Sequence, residues 1–309
     1  MSIFTAPHFT DPEAARLFIE GIRWPNGPVC GRCGETERRY NTKRPGRYRC
    51  GNPECRKDFT VTTGTVMESS HIPLNKWMIG FYLMSSSKKG ISAHQMHRTL
   101  GITYKSAWFL CHRIREAMRA GGLVPPIGGE GKTVEADETY FGKAETARPR
   151  RRNLPPPTKG GKGGPAGKRA IIALVERGGS VRSFHVAVAD KATVNAIVTR
   201  NIARETVLHT DESRLYGDAL NYVAGHETVH HTSREYVRGS VHTNTIEGVF
   251  SILKRGVYQH CREKHLHRYL AEFDFRYNHR MKLGFNDMDR TLAAVMGAEG
   301  KRLTYVQAH

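Results

Sequence analysis

Val134-Glu135-Ala136-Asp137-Glu138-Thr139-Tyr140-Phe141-Gly142 decides the reading of this chain, because it has the form of a β-strand, spanning Thr133 to Phe141, that carries acids. Its β-branched and aromatic residues suit a pleated surface, and Gly142 closes it. Downstream, Lys168 to Glu176 and Val181 to Val188 read as two more strands, with Arg177-Gly178-Gly179-Ser180 as the hairpin turn between them. Thr193 to Ala203 reads as a helix, and Thr206 to Thr210 as a strand running into Asp211. A helix from Ser213 to about Val223, a strand near Thr228 to His231, and helices from Thr245 to Arg255 and from Lys264 to Tyr277 follow. Strands alternating with helices predict an α/β fold. Residues 143–169, with nine cations, one acid and many Gly and Pro, read as a mobile basic loop.

Upstream the pattern changes. Asp11 to Gly21 reads as a short helix with Asp11 or Thr10 as N-cap, Pro12 in the first turn and Gly21 as the stop. Cys30-x2-Cys33, sixteen intervening residues and Cys50-x4-Cys55 then form two thiolate knuckles, a spacing that predicts one tetrahedral Zn²⁺ site. Four thiolates leave no open position, so this zinc is expected to be structural. Residues 30–60 carry nine cations and four acids, Arg47 and Arg49 among the cations, which makes phosphate the expected surface partner. A β-prone run extends from Phe59 to Val66. Cys111 and Cys261 read as buried small apolar residues.

Asn75 to about Ser86, Ser92 to Leu100 and Tyr104 to Met118 read as three helices, separated at Gly90 and Gly101. The last two have the form of a helix-turn-helix, whose second helix would present Lys105 and Ser106 to DNA, with Arg113 further along it. An ordinary helical linker with solvated cations is the alternative. Residues 120–132, rich in Gly and Pro, read as a linker.

The charge balance agrees with a polyanionic partner: 309 residues hold 48 Lys and Arg against 29 Asp and Glu, a formal charge of +19. With 39% apolar and 25% charged residues the chain has the composition of a folded protein. The longest apolar run, Ala170 to Val175, is far shorter than the roughly 18 residues of a membrane span. Asp11, Glu13 and Glu20 interrupt any signal-peptide core. A cytoplasmic location without membrane association is expected.

Asp137 in the first strand, Asp211 at the end of a later one and Glu247 in His242-Thr243-Asn244-Thr245-Ile246-Glu247-Gly248 are separated by 74 and 36 residues. Taken singly each has an ordinary explanation; Asp211, for one, could cap the helix beginning at Ser213. Together they form an oxygen donor set suited to hard divalent cations, which would offset their mutual repulsion. Lys254 lies seven residues after Glu247 on the same helix face, where it can hold a phosphate. Asn244 lies three residues before Glu247 and competes with it as third ligand.

The cysteine pairs, Phe59 to Ser70 with Gly64-Thr65, Ala136-Asp137-Glu138-Thr139-Tyr140-Phe141-Gly142, His209-Thr210-Asp211, and His242 to Gly248 followed by Leu253-Lys254-Arg255 together resemble bacterial insertion-sequence transposases of the ISXO type, over residues 12 to 282. The resemblance implies an RNase H-like catalytic domain with a central mixed sheet, preceded by a zinc ribbon and a helix-turn-helix unit. It further implies a DDE-type triad of Asp137, Asp211 and Glu247 on two Mg²⁺ or Mn²⁺ ions, Asp137 bridging them. Lys254 matches the basic residue after the third acid, and Arg255 joins the DNA-binding set. The implied activity cuts double-stranded DNA at transposon terminal inverted repeats and joins the 3′-hydroxyl ends to target DNA, with a homodimer or higher oligomer for synapsis. A DNA-binding regulator whose RNase H-like domain is only scaffold, and a purely hydrolytic nuclease, are the other functions considered. The expected organisation is an N-terminal helix (1–29), zinc ribbon (30–70), helical unit (71–120), linker (121–132), catalytic domain (133–285) with its basic loop, and a tail (286–309).

Overall fold

Asp11 accepts the Ala14 amide at 2.6 Å and Pro12 occupies the first helical turn, so the helix Pro12–Arg23 starts where its N-cap dictates. Gly21 lies inside this helix and does not end it. The computed structural model describes residues 3–121, 124–142, 168–229, 237–260 and 263–304, without the side chains of 257–260 and 263. Residues 143–167 of the basic loop, His230 and His231 of an expected strand, and Cys261 lie outside the described residues.

The chain divides into two units, one of residues 1–121 with 279–309 and one of residues 122–278. In the first, α1 (Pro7–Thr10) and α2 (Pro12–Arg23) precede a three-stranded antiparallel sheet of β1 (Arg39–Asn41), β2 (Tyr48–Cys50) and β3 (Asp58–Phe59). The expected strand through Val66 stops at Phe59. Thr63 Oγ1 takes the Thr60 amide at 3.0 Å, Thr65 Oγ1 donates to Thr62 O at 2.7 Å, and Gly64 has φ +73°, so local hydroxyl bonds fold the run into turns.

Helix α3 (Leu74–Ser86) buries Trp77, Met78, Phe81 and Met84. Helix α4 (Ala93–Leu100) ends on Gly101 in the left-handed region, and α5 (Tyr104–Met118) starts under a Thr103 N-cap, giving a three-residue turn between two helices. Residues 286–309 were expected as a tail, yet Asp287–Met296 forms a helix in this unit, with a capping box at Asn286 and Ala294 and Val295 buried.

The second unit is built on a five-stranded sheet. β4 (Thr133–Phe141) pairs antiparallel with β5 (Arg169–Glu176), which pairs antiparallel with β6 (Val181–Val186). The Arg177–Ser180 hairpin turn forms, with Gly178 at φ +75° and the Glu176 amide on Ser180 O at 2.9 Å. On its other side β4 runs parallel to β7 (Val207–Asp211), and β7 runs parallel to β8 (Gly225–Val229). The order β6-β5-β4-β7-β8 is the mixed sheet of an RNase H-like domain.

Alternation along the strands sorts two cores. Val134, Ala136, Ile172, Leu174 and Leu208 pack with Val194 and Val198 of α6 (Lys191–Asn201) and with Tyr216. Phe141, Ile171, Ala173 and Val175 pack on the opposite face with Ile246, Val249 and Leu253 of α7 (Asn244–His260) and Leu270 of α8 (Leu266–Asn278). A short hairpin, β9 (Val237–Arg238) with β10 (Val241–His242), leads into α7. The expected helix from Ser213 is instead two 3-10 turns, Arg214–Tyr216 and Ala219–Asn221, because Gly217 and Asp218 interrupt it.

Candidate metal centres and active site

The two thiol knuckles converge. Cys30 Sγ lies 3.9 Å from Cys55 Sγ and Cys33 Sγ lies 3.5 Å from Cys50 Sγ, and all four fall within 4.8 Å of one another. A tetrahedral zinc thiolate has sulfur–sulfur edges of about 3.8 Å, from bonds near 2.3 Å, so the donor set fits that ion. Burial pushes the Cys50 thiol up to about 12, which a bound cation would reverse. Gly31 is required in the first knuckle: a Cβ there would stand 2.3 Å from Thr63 O.

At the sheet, the register sets the acids. Glu135 pairs with His209 across β4 and β7, so Asp137 and Asp211, each two residues further on, leave adjacent strands at the same height. Oxygens of Asp137, Glu138 and Asp211 lie within 4.8 Å of one another. Glu138 was missed by sequence reasoning because it neighbours Asp137 on one strand and is expected to face away. It does turn toward the α6 side, where Ser213 Oγ donates to its Oε1 at 3.4 Å. Its Oε2 is buried and has no hydrogen-bond partner among the described residues.

Burial, followed by the charges of Asp211, Glu138 and Glu247, pushes Asp137 up to about 8. Glu138 is raised as well, by burial and then by Asp211. An all-oxygen cluster holding protons this tightly, with an orphaned buried carboxylate oxygen, fits hard cations such as Mg²⁺. Asp211 also accepts the Ser213 amide at 3.0 Å, but the cap of the 3-10 turn that replaces the expected helix is Ser213, whose hydroxyl accepts the Leu215 amide at 3.4 Å.

Glu247 is exposed in the first turn of α7 and is not within the 4.8 Å cluster, although its charge reaches Asp137. Thr243 Oγ1 donates to its Oε1 at 3.3 Å. Asn244, Glu247 and Lys254 are all exposed on α7, and Arg255 bonds back to Ser251 O at 3.1 Å.

The expected DNA contacts divide. Lys105 is exposed at the start of α5, and Ser106 accepts from Thr103 Oγ1 at 2.9 Å within the cap. Arg47 and Arg49 are exposed and share Asp58, each at 2.9 Å. Arg113 departs from expectation: it is only 8% exposed, donates to Glu68 O at 3.0 Å and Leu303 O at 3.3 Å, and lies over the Phe109 ring. The helical period shows why, since residue 113 shares a face with Leu110 and Ala117, both buried.

Residues 128–278 match the ISXO2-like transposase domain, and residues 10–58 match the transposase zinc-ribbon domain. A protein of the transposable element ISH50 in Halobacterium salinarum, described as uncharacterized, is 31% identical over 282 residues, covering 87% of this chain and 91% of its own. Among solved structures, a cryo-EM structure of a simian T-cell lymphotropic virus intasome in complex with PP2A regulatory subunit B56 gamma is similar over 58% of this chain and 63% of that one, at 17% identity. Its TM-score of 0.29 gives that likeness no bearing on what the chain does. Among the described residues no helix is long and apolar enough to cross a membrane.

Proposed function

The chain belongs to the ISXO2-like transposase family, and we propose that it binds transposon terminal inverted repeats, cleaves the DNA there and joins the freed 3′-hydroxyls to target DNA. The observation that carries this reading is the meeting of Asp137 and Asp211 oxygens, from the middle of β4 and the end of its parallel neighbour β7, with Asp137 raised by burial and then by neighbouring negative charge. Asp137, Asp211 and Glu247 are the proposed ligands of two Mg²⁺ or Mn²⁺ ions, with Asn244 as rival to Glu247. When bound, such a pair supplies activation of the attacking oxygen and stabilisation of the leaving oxygen of a phosphodiester.

The chain's own groups do the rest. Lys254, exposed on the same α7 face as Glu247, holds a phosphate of the DNA end, and Arg255 extends that contact. The ribbon, through Arg47 and Arg49, and the start of α5, through Lys105 and Ser106, grip double-stranded DNA. In this reading residues 30–70 and 71–120 bind DNA and residues 133–285 carry the chemistry, in the cytoplasm, with at least a dimer to bring two ends together.

The test is incubation with a supercoiled donor plasmid bearing the element's ends and Mg²⁺. Asp137→Ala and Asp211→Ala are expected to lose cleavage by about a thousandfold, as removal of several kcal/mol of charge stabilisation requires. Cleavage by either variant at the wild-type rate sinks the assignment. Inactivity of Asn244→Ala with an active Glu247→Ala moves the third ligand to Asn244, and cleavage without joining reduces the activity to a nuclease.

A further inference from the structure

One ion pair, a fully buried Glu135 with a half-buried Arg177, touches residues one or two positions before each of the three proposed metal-binding positions. Glu135 is fully buried on β4, two residues before Asp137 and on the same face. Its Oε1 accepts from Arg177 Nε at 2.6 Å and from Thr245 Oγ1 at 2.9 Å, and its Oε2 accepts the Ile246 amide at 3.0 Å. The carboxylate on β4 therefore holds the first turn of α7, satisfying an amide that the helix itself leaves unpaired. Ile246 is the residue directly before Glu247.

Arg177, in the β5–β6 turn, completes the arrangement. Its guanidinium donates to Ser240 O at 2.7 Å and to His242 O at 2.9 Å, fixing the segment that enters α7. The same Nη2 lies 3.1 Å from His209 Nδ1, on β7 two residues before Asp211, and 3.0 Å from His242 Nδ1. Only a planar fork of five donors can reach Glu135, two carbonyls and two imidazoles at once.

We propose that Glu135 and Arg177 are positioning residues that set where α7 presents the third metal ligand relative to Asp137 and Asp211, without themselves touching metal or DNA. This inference rests on the metal-site reading above. A buried ion pair is a poor source of stability, since its desolvation cost offsets much of its attraction. What it supplies here is direction: hydrophobic packing of Ile246 and Val249 holds α7 against the sheet but tolerates sliding, whereas the bonds to the Ile246 amide and the two carbonyls fix its height.

The experiment measures Mn²⁺ binding to the full chain by electron paramagnetic resonance, and the Mg²⁺ concentration for half-maximal donor-plasmid cleavage. It compares wild type, Glu135→Gln, Arg177→Lys and the milder Thr245→Val, with Val198→Ala on α6 as a control that loosens the core away from the strut. Glu135→Gln and Arg177→Lys are expected to weaken Mn²⁺ binding and raise the Mg²⁺ half-point about 10- to 100-fold, the usual cost of losing a group that orients a ligand. Thr245→Val is expected to shift both in the same direction by less, and Val198→Ala to lower the melting temperature without moving either. Wild-type metal response in Glu135→Gln and Arg177→Lys overturns the inference, as does a shift in Val198→Ala equal to theirs. Absence of Mn²⁺ binding by wild type outside the ribbon overturns the metal-site reading and this inference with it.

Discussion

The ribbon and the carboxylate centre both bring together donor sets that fit cations, but they stand in opposite relations to the fold around them. The ribbon's four ligands come from 26 consecutive residues, on strands two or three residues long, with Cys30, Cys50 and Phe59 among its few buried side chains. So small a core cannot offset the conformational entropy of ordering that segment, and the ion must supply the difference. The carboxylates that meet come from positions 137, 138 and 211, placed by a sheet buried on both faces. There the fold supplies the energy and the acids draw on it, as the raised Asp137 shows. One site stabilises its surroundings when filled, whereas the other burdens its surroundings when bare.

Removing zinc tests this contrast most severely. Chelation, or Cys33→Ser, is expected to unfold the ribbon outright, since structural zinc contributes roughly 10–16 kcal/mol in comparable peptides. Hydrogen exchange should show amides of β1 to β3 losing protection while β4 and β5 keep theirs; equal loss in both would erase the distinction. Next in size, Leu174→Ala empties part of the sheet's core and is expected to cost the second unit about 2–5 kcal/mol. Its zinc content, read by metal analysis, should be unchanged.

The sharpest contrast is in sign. Where Cys33→Ser lowers stability, Asp137→Asn is expected to raise the melting temperature of metal-free protein by roughly 2–4 °C, for about 1 kcal/mol of relieved repulsion. The same substitution is expected to abolish the proposed cleavage. Asp137 is raised from 3.8 to about 8, so its stabilising contribution is complete below about 3.8 and is lost as pH rises through 8. The gain should therefore grow from pH 5 to pH 8 in calorimetric scans without Mg²⁺, and a variant that melts lower than wild type at pH 8 would refute the burden.

The smallest effect concerns Asp274, whose carboxylate accepts the Ser183 amide and hydroxyl at 2.7 Å each and is raised from 3.8 to about 7, chiefly by burial. Its contribution is likewise full below about 3.8 and lost as pH rises through 7. In the Asp137→Asn background, Asp274→Asn is expected to flatten the remaining fall in melting temperature over that window.

The two sites were also unequally legible. Paired cysteines announce themselves by spacing, because each knuckle is a local turn. The carboxylates needed the sheet's register, and only the pairing of Glu135 with His209 brings Asp137 and Asp211 level. Glu138 stayed hidden because strand alternation sends neighbouring side chains to opposite faces, which does not prevent their oxygens from meeting beside the end of β7. Glu135 and Arg177 gave one signal that went unread: an acid amid buried strand residues, and an arginine in a turn where solvent would suffice. The strand expected through Val66 failed because hydroxyl side chains captured nearby amides before a ladder formed, and the helix expected from Ser213 because Gly217 and Asp218 interrupt it.

The division of the chain sets an order of events in its synthesis. The unit holding the ribbon takes in residues 279–309 as well as residues 1–121, and the Val66 amide bonds Ala298 O at 3.3 Å while Gly300 bonds Gly64 O at 2.9 Å. The sheet unit, residues 122–278, is an insertion in that contour. On the ribosome the sheet has every residue it needs while the first unit still lacks its last helix, so the part made first is the part completed last. In chain order, every residue of the carboxylate centre precedes the helix that completes the zinc-ribbon unit.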